Sequence, residues 1–140
     1  MTTNADITIF NKRYDRTERT ERFYGTKIKG VSLYFKKGVS SGDGGMSQDD
    51  KYIIRIPIDA DTGGKQYVGQ QEYKELSEKE FNLFWTLQPG AIIVTGLVEQ
   101  NTATETELMQ NFQEVIVVTN FTDNRGRGSE SMWHWRVGGK

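Results

Sequence analysis

Cysteine is absent from the 140 residues, and histidine occurs once. The first absence excludes disulfides, thiol nucleophiles and every cysteine-based zinc site, and it fits a reducing compartment. The second leaves the lone histidine without another to share a metal. Proline is also scarce, with two residues. No apolar run approaches the roughly 20 residues needed to cross a membrane. The opening "MTTNADITIFNKRYD" has no basic region followed by an apolar one, so no secretion signal is visible. Positive charge is not in excess either: 18 Lys/Arg stand against 19 Asp/Glu. A general nucleic-acid binder would be far more basic.

Glycine is plentiful, with 15 residues, and the apolar fraction is a modest 35%. Valine, isoleucine, threonine and aromatics are well represented, and these favour strands. A chain of this length can bury roughly 70% of its unfolded surface, so one domain over 1–140 is expected. Charge is unevenly spread. Residues 1–58 carry 11 Lys/Arg and 7 Asp/Glu, 59–107 carry 3 and 9, and 108–140 carry 4 and 3. Such a chain can present unlike faces to copies of itself, although scatter on a charged surface gives the same counts.

The periodicity is that of strands. "DITIF" alternates at Ile7 and Ile9, and "NKRYDRTERTER" has the mixed signs of a solvated hairpin loop. "RFYGTKIKGVSLYF" (22–35) reads as two strand pieces with a bulge or bend at Gly30. In "KYIIRIPI" (51–58), Tyr52, Ile54, Ile56 and Ile58 share one side, and Pro57 suggests an edge or a strand end. "AIIVTGLV" (91–98) and "QEVIVVTNFTDN" (113–124) are further strands. Ser77 and Glu80 have capping-box spacing before Phe81, Phe84 and Trp85, which fall on one face of a short helix. "NTATETELMQNF" reads as a loop or a helical turn. Long glycine-rich loops are expected at about 36–50 and 59–70. The fold class is mainly β, a small barrel or sandwich of six to seven strands with one short helix. The expected core is Ile54, Ile56, Phe81, Phe84, Trp85, Ile93, Val94, Val117, Trp133 and Trp135.

In "MWHWRV" (132–137), a period of two puts Trp133, Trp135 and Val137 on one face and His134 beside Arg136 on the other. A strand or interface role for His134 competes with a pH-sensitive contact and with metal or catalytic work. "DADTGG" (59–64) begins like a calcium loop, but position 63 is Gly and position 70 is Gln, so a turn is the simpler reading. "GVSSGDGG" lacks the Lys-Ser/Thr of a phosphate loop. "RGRG" (125–128) could touch a phosphate backbone or form a solvated hairpin tip. No nucleophile-elbow motif occurs, so no enzyme is expected, and no cofactor or metal.

Three stretches carry a resemblance: "IRIPIDADTGGKQYV" (54–68), "FWTLQPGAIIVTG" (84–96) and "TDNRGRGSESMWHWRVGGK" (122–140). The matching residues are Trp85, Leu87, Gly90, Ile93, Val94 and Gly96, then Thr122, Asp123, Asn124, Arg125, His134, Trp135, Val137, Gly139 and Lys140. With the N-terminal "ITIFNKRYD", they resemble an uncharacterised family of small proteins encoded in phages and prophages of Gram-positive bacteria. Members usually lie among structural genes, beside minor capsid and head–tail connection proteins. The closing pattern is similar to that of head-closure (stopper) proteins, small β-barrels that form rings beneath the portal.

The resemblance implies a non-enzymatic virion part of the head–tail connector. It implies ring self-association, docking to portal or adaptor, incidental contact with packaged DNA and no membrane. It also implies residence in the host cytoplasm during assembly and then in the virion. The assembly residues expected are Lys36, Lys37, Asp43, Asp49, Asp50, Asp59, Asp61, Arg125, Arg127, His134 and Arg136. A tail-terminator or tail-completion protein is an alternative. So is an oligonucleotide-binding barrel in which Tyr52, Trp133 and Trp135 stack on bases.

Overall fold

The computed structural model describes residues 2–35, 51–126 and 128–140. The expected loop at 36–50 lies outside these residues, and with it Lys36, Lys37, Asp43, Asp49 and Asp50; so does Arg127. Strands run in the order β1 (Ala5–Asp15), β2 (Thr20–Phe35), β3 (Tyr52–Pro57), β4 (Gln66–Tyr67), β5 (Phe84–Trp85), β6 (Ile92–Thr95), β7 (Thr102–Ala103), β8 (Val115–Asp123) and β9 (His134–Gly139). Two short helices interrupt them, α1 (Gln70–Glu75) and α2 (Glu105–Asn111).

The large sheet has the order β1-β6-β8-β9-β3-β2-β7, and β1 also pairs with β2. The pairings therefore trace a circuit of six antiparallel strands, β1-β6-β8-β9-β3-β2 and back to β1, with β7 outside it. Two long strands make the circuit possible by changing partners along their length. β2 pairs with β1 as far as Val31 and with β3 from Ser32 onward. β8 pairs with β6 through Val117 and with β9 from Val118 onward. The bend in β2 is the bulge expected at Gly30. The β1–β2 register skips one residue there, and φ is 85°, a conformation that a Cβ disfavours.

Side-chain alternation gives the circuit two apolar layers. Inside lie Ile7, Ile9, Ile28, Val31, Ile54, Ile56, Ile93, Ile116, Val118, Trp135 and Val137, joined by Trp85, Leu87 and Ala91 from the segment before β6. Outside, Phe10, Phe23, Ile92, Val94 and Ala103 form a second cluster, sealed by Leu108 of α2. Each fully buried aliphatic or Phe side chain contributes roughly 1.5–3 kcal/mol relative to exposure. Val94 is thus buried as expected, but in the outer layer.

Several expectations change. Val117 is only half-buried, because Ile116 and Val118 take the inward positions of β8. Phe84 and Trp133 are half-buried too. Trp133 stands one residue before β9, after a 3-10 turn at Glu130–Met132, in extended conformation, and it lines one cavity with Trp135. The helix expected around Phe81–Trp85 is a single 3-10 turn, Phe81–Leu83, followed by β5. There Phe84 and Trp85 pair in parallel with Gln66 and Tyr67, and this extended pairing turns Trp85 into the core. The loop expected at 59–70 consequently holds β4 and the start of α1, and Asp61 bridges Lys29. The solvated loop expected over "NKRYDRTERTER" is mostly strand. β1 and β2 stay in register to Asp15 and Thr20, leaving only 16–19 as the turn.

Candidate functional site

Three surfaces gather the polar and aromatic side chains, and each follows from strand placement. The first is an aromatic cluster at the end of β4, β5 and β9. The Tyr67, Trp85 and Trp135 rings meet with centroids 4.6–5.2 Å apart. Arg125 closes over them, its guanidinium 5.3 Å from the Tyr67 centroid and 5.2 Å from that of Trp135. Asp123 fixes this arginine through a forked contact, Nε to Oδ1 at 2.9 Å and Nη2 to Oδ2 at 2.6 Å. These hydrogen bonds hold the Asp123 carboxyl below its ordinary range and raise Arg125. Burial, then the Asp123 charge, pushes the Tyr67 phenol up, with Arg125 opposing. The expected Arg125 is therefore a lid held in place, and Trp135, 5% exposed, offers no open face to a base.

Beside the cluster, Lys65 donates to Gly25 O at 2.9 Å and Thr26 Oγ1 at 3.1 Å. Burial lowers its pKa. Asp61 is exposed, and its Oδ1 accepts from Gly63 N at 2.9 Å, an ordinary turn contact. Asp59 is exposed in the turn after β3. Among the described residues, no group of three or more His, Cys, Asp or Glu side chains could hold a metal ion.

The second surface is the outer wall of β2, β3 and β9. Ser32, Arg55 and Arg136 form one cross-strand row, since Ser32 faces Arg55 and Arg55 faces Arg136. A groove of about 560 Å³ runs over them, lined also by Tyr34, Asn124, Met132 and His134. Arg55 lies 5.7 Å from the Tyr34 ring centroid. His134 is placed by two contacts, Nδ1 to Met132 O at 2.9 Å and Nε2 to Asn124 Nδ2 at 3.2 Å. The tautomer with its proton on Nδ1 satisfies both, donating to the carbonyl and accepting from the amide. Sequence placed His134 beside Arg136 on one face. It gave no sign of Arg55, which becomes Arg136's neighbour only through the β3–β9 register.

The third surface is the ribbon made by the far halves of β1 and β2. β6 pairs with β1 only as far as Phe10, whereas β1–β2 pairing runs on to Asp15 and Thr20. The ribbon's root is anchored. Asn11 donates to Thr86 O at 2.6 Å and accepts from Thr86 N at 3.1 Å. Arg13 donates to the carbonyls of Tyr73 and Leu76 at the end of α1, and its guanidinium lies 4.6 Å from the Phe81 ring centroid. Sequence reasoning missed Arg13, which looked like one more charge in a solvated stretch. The tip is free, with Tyr14 55% exposed.

Among the described residues, no helix is long and apolar enough to cross a membrane. No curated protein and no solved structure matches the chain. A family model does match, over residues 1–140: the chain belongs to a family of unknown function, DUF6751.

Proposed function

We propose that this DUF6751 protein is a non-enzymatic assembly protein that self-associates into a ring. In its specific form it is a head-closure (stopper) component of a phage head–tail connector that docks on portal or adaptor. The observation that carries self-association is the β1–β2 ribbon. It extends beyond the pairing with β6 on one side and with β7 at Phe23 and Tyr24 on the other, and past these its tip carries the exposed Tyr14 and no buried apolar residue. An extended, mixed-charge ribbon of this kind suits contact with a neighbouring subunit, and its charges guard against indiscriminate edge pairing. The connector role rests on the resemblance of the 54–68, 84–96 and 122–140 stretches.

The side chains with the most specific geometry have structural partners: Asn11 holds Thr86, Arg13 holds α1, and Arg125 holds Asp123 and the aromatic cluster. This supports a scaffold over an active site. The test mixes the purified protein with portal complexes and with tailless, DNA-filled heads, and images them by cryo-electron microscopy. Ring density added below the portal is expected. Its absence, with the protein folded, would overturn the connector role.

A further inference from the structure

We infer that, beside the ribbon, copies meet through a second, head-to-tail contact: the Arg55–Arg136 groove of one copy receives the acidic face around α2 of the next. The inference rests on the self-association reading above and adds this contact to that of the ribbon. It begins with a mismatch inside one copy. Arg55 and Arg136 are directly opposed across β3 and β9, and like charges in that relation are destabilising. The ion pairs among the described residues are Lys12–Glu21, Lys27–Glu99 and Arg125–Asp123, and neither groove arginine takes part. Both are half-buried, so a carboxylate arriving from outside would meet partly desolvated guanidinium groups.

A complementary surface exists on the same chain. No Lys or Arg occurs from 80 to 124. Glu99 and Asp123 of that stretch are paired with Lys27 and Arg125, which leaves Glu105 and Glu107 on α2 and Glu114 just after it as the exposed carboxylates around that helix. In α2 the buried residue is Leu108, so the helix turns Glu105, Glu107 and Met109 outward. Met109 is 40% exposed, and Met132 at the groove is 50% exposed, giving each surface an apolar contact beside its charges.

Placement on the barrel decides the geometry. In the circuit β1-β6-β8-β9-β3-β2, β1 stands three steps from β9, and β6 three steps from β3. α2 covers the wall of β1 and β6, and the groove lies on the wall of β3 and β9. Unlike surfaces on opposite walls cannot close an isologous dimer through a shared patch. They join copies head-to-tail, which generates a ring when the rotation closes.

Two variants test this. One is Arg55→Glu with Arg136→Glu; the other is Glu105→Lys with Glu114→Lys. Glu107 is left alone because its carboxylate closes the α2 capping box. Circular dichroism and thermal unfolding confirm that each variant folds, and sedimentation velocity reads assembly. Each reversal alone should weaken association by about tenfold or more. Mixing the two variants, or combining all four changes in one chain, should restore it, because both charges are then inverted together. Folded reversals that assemble like wild type would overturn the interface and leave self-association standing, as would a mixture that stays dissociated. Wild type that never assembles would overturn the self-association reading itself. A groove reversal that abolishes binding of single-stranded oligonucleotide but leaves assembly intact would make the groove a nucleic-acid site and overturn the proposal.

Discussion

Gly139 shows how a terminal motif residue can be fixed by packing alone. A Cβ there would lie 2.5 Å from Ile116 Cγ2 and 2.8 Å from Val117 O. The second contact is backbone and cannot rotate away. Gly139→Ala should therefore destabilise the fold by about 1–3 kcal/mol, read as a lower thermal midpoint. Tyr73 is the second residue with a defined consequence. Burial pushes its phenol from 10.0 up to about 12, against the pull of Arg13. A raised pKa means the folded state holds its proton more tightly than the unfolded state. The stabilisation, about 2–3 kcal/mol, is complete below pH 10 and is lost as pH rises toward 12. Chemical denaturation from pH 9 upward should show this loss, and Tyr73→Phe should make it shallower. Tyr24 and Tyr67 shift in the same direction, so part of the loss should remain.

At the scale of elements, two capping-box patterns had different fates. Thr104 and Glu107 make the box at α2, Thr104 Oγ1 accepting from Glu107 N at 3.2 Å. Thr104→Ala should cost about 1 kcal/mol, seen as a lower urea midpoint with an unchanged slope. Ser77 and Glu80 have the same spacing, yet only a 3-10 turn follows, without a side-chain cap. There tertiary demands override local preference: Trp85 must be extended to pair with Tyr67 and enter the core. The strands at Ile7 and Ile9 and at Ile54 and Ile56 were legible because alternation marks a half-buried strand, and the Gly30 bulge was marked by its glycine. In β8 the unbroken apolar run 115–118 marked the strand but not its inward face, so Val117 was expected where Ile116 and Val118 point inward. The length of the β1–β2 ribbon was not legible, because its charges look the same on a solvated ribbon as in a loop. Nor was the role of Arg13, which depends on α1 arriving 60 residues later. Arg13→Met should leave the barrel intact but speed amide hydrogen exchange in α1, since two terminal carbonyls lose their donor.

At the scale of the molecule, composition indicated a β-rich fold, and the six-strand circuit falls within the barrel or sandwich expected. Closure itself needs the partner switches of β2 and β8, which no local pattern encodes. The candidate site was legible in part. His134 and Arg136 were placed on one face, but the opposing Arg55 and the opposite-wall position of α2 emerge only from sheet order. The uneven charge along the sequence becomes informative through that order, because it sets an acidic helix and a basic groove across the barrel from one another. Association through such surfaces should weaken as salt rises.

The most direct test of self-association is sedimentation velocity of the wild-type protein, from micromolar to millimolar concentration at low and high salt. The account predicts a concentration-dependent species of one fixed stoichiometry that dissociates as salt is added. A single monomeric boundary at every concentration and in both salts would contradict it.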